Sequence, residues 1–202
     1  MKLYICEDYK NARWRGQITD GEKASLRFAR ICVSDYIGRK QGRVNFKFAH
    51  NKYGKPYIKK LSRKKGGQII NREIYFSLSH SSHMLICAVS RYNIGADCQF
   101  INIKDIKICR KIAERFYAPQ EILYLNNLPE CEYINNFFEI WAKKEAYVKY
   151  TGKGLSEGLS TFDVHELDGV RFERVMPELT GAYIYLCCGE QNQDELRVEY
   201  VR

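Results

Sequence analysis

The chain has little of what marks a membrane protein, a disulfide-stapled module or a tethered array. No stretch approaches the ~20 consecutive apolar residues needed to cross a bilayer, and the opening MKLYICEDYK lacks the long apolar core of a signal peptide. The expectation is a cytoplasmic protein that does not associate with membranes. Only 4 of 202 residues are proline, no tract is low in complexity, and nothing recurs at the period of a solenoid. A beaded or fibrous architecture is thereby excluded. The eight cysteines (Cys6, Cys32, Cys87, Cys98, Cys109, Cys131, Cys187 and Cys188) include no CxxC pair, and the chain is long for a disulfide scaffold. Tetrahedral zinc sites use short paired spacings that are absent here, so reduced, mostly buried thiols are expected.

What is present is ordinary for a globular protein with a real core: 45% hydrophobic and 28% charged residues. One domain or two small halves is the expectation at this length. Lys and Arg total 33 against 24 Asp and Glu, a formal net charge of +9. Such a surface attracts polyanions, whether nucleic acid, a phosphate-rich ligand or an acidic protein. Charge alone does not choose among them.

Along the chain, LYIC reads as a strand, and DGEKASLRFARICVSDYIG as a helix with Asp20 as N-cap and Gly38 as stop. Arg27 and Arg30 share one side of that helix. NFKFAHNKYGKPYI alternates, then breaks at Gly54 and Pro56, predicting a strand, a turn and an extended segment. EIYFSLSHSSHMLICAVS predicts two strands joined by a polar turn containing His80 and His83. YNIGADCQF continues as a strand with Asp97 near its end. KDIKICRKIAERF and PQEILYLN carry helical apolar spacing, with Pro119 in a first turn. A long helix follows, closed by Gly152 and Gly154. STFDVHEL, VRFERV, GAYIYLCCG and ELRVEYV read as further strands. The pattern is an α+β chain in two similar halves.

The long helix poses the functional question. Trp141, Glu145 and Lys149 stand four apart, so they rise from one face. A solvated Glu145–Lys149 pair worth ~0.2–0.5 kcal/mol beside a core Trp would account for that spacing. Lys143, Lys144 and the following Gly152-Lys153-Gly154 offer a second account, in which the carboxylate binds a divalent cation and the ammonium neutralises phosphate oxygens. Gly95 allows close backbone approach next to Asp97, which could equally be a turn or cap residue. FSLSHS supplies Ser77, Ser79, His80 and Ser81, for a hydrogen-bonded turn or for phosphate. GKP gives a rigid turn with Lys55. RKKGG, residues 63–67, reads as a basic loop.

In order and spacing, YGKPYI, FSLSHS, IGADC, RFYAPQEILYL and WAKKEAYVKYTGKGL together resemble the 4'-phosphopantetheinyl transferases, specifically the larger monomeric, surfactin-synthetase-activating type that serves nonribosomal peptide and polyketide synthases. The resemblance runs from about Asn51 to about Phe162. It implies an α+β fold of two similar halves with pseudo-twofold symmetry, residues 1–100 and 101–202, and a cofactor cleft between them. The first half would hold the His80 and Asp97 motifs for coenzyme A, the second the WxxKE helix. It implies a magnesium-dependent monomer that moves phosphopantetheine from coenzyme A to a serine of an apo acyl or peptidyl carrier protein, releasing 3',5'-adenosine bisphosphate.

Residue by residue, the resemblance makes Asp97 and Glu145 magnesium ligands, with Gln99 at the position of the family's customary second acid. Lys149 matches the lysine on the coenzyme A pyrophosphate, and Lys144, just before the glutamate, joins the coenzyme A contacts. Ser79 and His80 match the pair near the 3'-phosphate, and Lys55 and Pro56 the segment along the adenosine. Glu121 matches an acid near the metal, so either Glu145 or Glu121 would take the serine proton. Gln99 brings an amide oxygen without charge, leaving two carboxylates rather than three to face the ion. Trp141 would anchor the helix in the core between the halves. Two other readings stand beside this: a noncatalytic binder of coenzyme A or carrier protein, suggested by Gln99, and a basic nucleic-acid-binding protein, although no RNP, zinc-finger or helix-turn-helix pattern is visible.

Overall fold

A repeated unit of strand, helix and hairpin organises the chain. The computed structural model describes residues 1–17, 23–38, 46–65, 68–71, 73–176 and 181–201. The first unit runs through strand β1 (Lys2–Cys6), helix α1 (Ala24–Tyr36), strands β2 (Phe46–His50), β3 (Pro56–Lys65) and β4 (Gln68–Asn71), and the hairpin of β5 (Tyr75–Ser81) and β6 (Met84–Ser90). The second comprises β7 (Ile94–Phe100), helices α2 (Ile106–Phe116), α3 (Pro119–Asn126) and α4 (Glu130–Thr151), and the hairpin of β8 (Val170–Val175) and β9 (Ala182–Gly189). Strand β10 (Arg197–Tyr200) closes the described chain. In each unit the hairpin's last strand lies antiparallel to the opening strand, giving sheets β1-β6-β5 and β7-β9-β8. The α+β fold of two similar halves is thus present.

The division falls elsewhere than residue 100. β7 holds seven register pairs with β9, from Ile94 with Cys188 to Phe100 with Ala182, so it opens the second half instead of closing the first. Asp97 therefore belongs to the second half. β10 crosses back to pair parallel with β1 at the edge of the first sheet.

Period-two alternation explains the layering. Along β6, Leu85, Cys87 and Val89 pack under α1 with Phe28, Ala29 and Cys32, while Met84, Ile86 and Ala88 face the second sheet. Both faces of this strand are covered, which is why MLICAVS reads as one unbroken apolar run. The second sheet answers with Ile94, Ala96, Cys98, Ile184, Leu186 and Cys188 on its inner face. Its outer face carries Tyr185 and Cys187 against Ala142 and Ala146 of α4. The order of layers is α1, first sheet, second sheet, α4. No helix among the described residues is long and apolar enough to cross a membrane. Seven of the eight cysteines are buried and Cys131 is exposed.

Between the halves, side chains replace a backbone ladder. Ser77 Oγ accepts from Ala96 N at 2.9 Å and Ser81 Oγ from Phe100 N at 3.3 Å. The alternating serines of FSLSHS are the seam between β5 and β7.

Three local expectations change. The β5–β6 turn is Ser82-His83, with Ser82 left-handed at φ 56°, and His80 lies within β5. STFDVHEL is not a strand: a short 3₁₀ turn at Leu159–Thr161 gives way to turns. Its polar groups are spent elsewhere, since Lys144 Nζ takes the Leu159 and Phe162 carbonyls and Glu121 takes Val164 N. In RKKGG, residues 63–65 end strand β3, and Gly66 and Gly67 lie outside the described residues, as does the expected cap Asp20.

Helix α4 reaches β7 because Gly95 has no side chain. A Cβ built there would sit 1.9 Å from Ala146 O and 2.4 Å from Tyr150 N. Both obstructing atoms are backbone, so relief requires lifting the helix. Gly95→Ala is expected to cost at least ~3 kcal/mol, at the severe end of overpacking, measured by chemical denaturation. A wild-type midpoint would refute this contact.

Candidate active site at the seam between the halves

The face of β7 opposite the core carries Gly95, Asp97 and Gln99 in alternation, and α4 lies over it. Having approached at Gly95, the helix brings Lys149 onto Asp97: Nζ to Oδ1 is 2.5 Å. Ser79 Oγ accepts from Lys149 at 2.8 Å and donates to the same Asp97 Oδ1 at 2.6 Å. Gln99 Nε2 donates to Asp97 Oδ2 at 3.0 Å. The aspartate is nearly sealed, with 2% of its side chain exposed, and the lysine keeps 27%. One turn back, Glu145 is pushed above the ordinary carboxylate range by burial first and by the Asp97 charge second, with Lys149 opposing. Two carboxylates thus share one ammonium, leaving a local deficit of positive charge.

Glu145 and Lys149 stand on a ridge between two recesses. The larger, about 520 Å³, has an apolar wall of Ile112, Phe137, Phe138 and Trp141 and reaches His80 and Gln99. The smaller, about 260 Å³, is bounded by Tyr53, Pro56, Phe76, Gly152 and Gly154. An elongated ligand with a charged middle and two less polar ends matches this shape.

The remaining expected residues divide. His80 is exposed at the larger recess and stacks on Tyr9, ring centroids 6.3 Å apart. Ser79 turns its hydroxyl inward to Asp97 and Lys149. Lys55 and Pro56 both border the smaller recess, but the Lys55 ammonium is spent on the carbonyls of Ile94 and Tyr150, at 3.3 Å each, and on Asn93 Oδ1 at 3.2 Å. Burial pushes Lys55 down to about 8. Trp141 packs with Phe116, Tyr117 and Phe137, inside the second half instead of between the halves.

Glu121 and Lys144 require correction. They form an ion pair at 2.7 Å with both side chains 0% exposed, and neither borders a recess. Glu121 also accepts from Ala118 N at 2.8 Å and Val164 N at 2.9 Å, while Lys144 donates to Leu159 O and Phe162 O. All their capacity goes into joining α3, α4 and the segment after α4. Sealed in this way, the pair holds the helix in place. Tyr9, Asn51, Asn93 and the Phe137–Phe138 wall join the expected residues around the site. Asn51 alone carried a local signal, an Asx residue opening a glycine turn.

The sequence profile of the 4'-phosphopantetheinyl transferase superfamily matches residues 93–200, more than half of the chain. The chain belongs to that superfamily. The matched stretch begins at the turn into β7, where the second half begins. Among characterised proteins, the chain is similar to 4'-phosphopantetheinyl transferase gsp of Aneurinibacillus migulanus, 30% identical over 154 residues, covering 71% of this chain and 58% of that protein. It is also similar to 4'-phosphopantetheinyl transferase Sfp of Bacillus subtilis (strain 168), 32% identical over 136 residues, 66% of this chain and 54% of the relative. With 4'-phosphopantetheinyl transferase psf-1 of Bacillus pumilus it shares 36% over 117 residues, 56% of this chain and 48% of the relative. The chain thus spans about half the length of these relatives.

For this superfamily member the donor chemistry suits a hard cation: Asp97 and Glu145 offer carboxylate oxygens whose mutual repulsion a divalent ion would relieve, and Gln99 an amide oxygen. Among the described residues no group of three or more His, Cys, Asp or Glu side chains gathers for a metal, in keeping with Gln99 at the third position.

Glu121→Gln strips a sealed ammonium of its partner and should cost ~3–5 kcal/mol, read as a lowered denaturation midpoint; a loss under ~1 kcal/mol would contradict the sealed pair. Glu145 has a raised folded pKa, so its contribution to stability is complete below about 4.5 and lost as pH rises through the folded value. Glu145→Gln should therefore melt at or above the wild-type temperature at pH 8 and lose that advantage at pH 4. A variant less stable at pH 8 than at pH 4, relative to wild type, would reverse the sign.

Proposed function

We propose that the protein transfers the 4'-phosphopantetheine arm of coenzyme A to a serine of an acyl or peptidyl carrier protein, working as a magnesium-dependent monomer. The observation that carries this reading is the ridge built by Glu145 and Lys149 over Asp97, between an apolar recess and a smaller, turn-lined one. Coenzyme A has that outline: a diphosphate flanked by a flexible arm and an adenosine. All three residues come from one chain, so a single copy suffices.

In this reading the serine oxygen attacks the phosphorus nearer the pantetheine, forming a new phosphodiester as the diphosphate P–O bond breaks and 3',5'-adenosine bisphosphate leaves. Asp97 and Glu145, with the Gln99 amide oxygen, would hold the cation, which when bound supplies positive charge to the diphosphate oxygens. Lys149 neutralises the charge that develops toward the leaving group. Glu145, which borders both recesses, is the carboxylate placed to take the serine proton. Glu121, sealed against Lys144, is out of reach of that proton. His80, held by Tyr9, stands at the larger recess as a donor to an outer phosphate. The aromatic wall of Phe137, Phe138 and Trp141 keeps water from competing with the serine. The +9 surface favours both an anionic cofactor and an acidic carrier.

The test is to incubate the protein with coenzyme A, magnesium and a panel of apo carrier proteins, then weigh the carriers by mass spectrometry. A gain on the carrier serine is expected, falling ~10²–10⁴-fold in Glu145→Gln. Coenzyme A binding without mass gain would leave only a noncatalytic binder, and salt-sensitive DNA or RNA binding alone would leave the nucleic-acid reading.

A further inference from the structure

The last turn of α4 is where the reaction's lysine sits, and its carbonyls are held from outside the helix. A helix leaves its final four C=O groups without intrahelical partners and concentrates partial negative charge there. Here the partners come from two turns. From the β2–β3 turn, Lys55 Nζ donates to Tyr150 O at 3.3 Å, and Asn51 Nδ2 donates to Gly152 O at 2.7 Å. From the β6–β7 turn, Asn93 Nδ2 donates to Tyr150 O at 2.8 Å, and its Oδ1 accepts from Lys55 Nζ at 3.2 Å. Asn51 Oδ1 accepts from Lys55 N and Tyr53 N, each at 2.9 Å, which shapes the turn that presents Lys55.

The glycines show how tightly this clasp closes. Gly152 is left-handed at φ +70°, and a Cβ built on it would lie 3.0 Å from Lys55 Cδ and 3.2 Å from Asn51 Nδ2. A Cβ built on Gly154, also left-handed, would lie 3.5 Å from Tyr53 O. The YGKP and TGKG turns therefore lean directly on each other, and the Lys55 ammonium lies half-buried between them, at the edge of the smaller recess, which agrees with its lowered pKa.

We propose that Lys55 and Asn51 are positioning residues: they strap the C-terminal turn of α4 to both halves and so fix Lys149, the residue before Tyr150, against Asp97. This deepens the transfer reading and rests on it. The ammonium of Lys55 does not reach coenzyme A; the cofactor feels Lys55 through the place of Lys149. Lys55→Met and Asn51→Ala should then behave alike, although Asn51 borders neither recess.

The experiment compares these variants with wild type by amide hydrogen exchange without ligand and by steady-state transfer. Expected for both are ~10-fold faster exchange at residues 149–154 with the rest of the fold unchanged, and a lower kcat with the KM for coenzyme A within ~2-fold of wild type. The opposite split overturns the proposal: in Lys55→Met a KM raised ~10-fold with unaltered exchange, and Asn51→Ala silent in both readouts. Should Lys55→Met fail to fold, Asn51→Ala decides alone, its silence counting against the strap. If wild type transfers nothing, the transfer reading falls, and the exchange of residues 149–154 still reports on the strap.

Discussion

A helix lying directly on a bare strand backbone is the contact from which the site follows. Gly95 removes the one side chain that would hold α4 off β7, and two residues later the same face of the strand presents Asp97. The helix atoms nearest Gly95, Ala146 O and Tyr150 N, bracket Lys149, so the lysine meets the aspartate by construction. Nothing about Asp97 or Lys149 alone would bring them to 2.5 Å; the spacing of glycine and acid on one strand does.

Around that contact, buried charge is allocated to two different tasks. Lys144 and Glu121 are wholly sealed, complete each other and finish the bonding of three chain segments, which is the condition under which an internal ion pair is tolerable. Glu145, Asp97 and Lys149 are left unbalanced, two anions to one cation, at an open recess. Placing an incompletely compensated carboxylate there costs stability, and chemistry at a phosphorus is a use for it. Adjacent residues of one helix, Lys144 and Glu145, thus serve opposite ends because they project to different sides.

Much of this was legible from residue order. The four-residue spacing of Trp141, Glu145 and Lys149, the glycine before Asp97 and the alternation through β6 and β7 all act locally, and local physics shows in a sequence. The parts that stayed hidden depend on partners distant in the chain. STFDVHEL alternates like a strand, but Lys144 and Glu121 capture its backbone groups. The resemblance makes Glu121 a site acid, whereas its side chain turns inward to cap α3. The resemblance makes Lys55 a ligand contact, whereas Asn93, Ile94 and the end of α4, some 95 residues away, use up its ammonium. The boundary at residue 100 failed because pairing, not chain order, decides that β7 belongs with β9.

The central strand of the first sheet carries a liability of its own. Met84–Ser90 has no charge and no proline, and in the folded protein all seven of its residues are buried. The same composition favours stacking of identical chains into cross-β fibrils when such a segment is exposed. The strand covered on both faces is therefore also the segment that unfolding would open to such stacking.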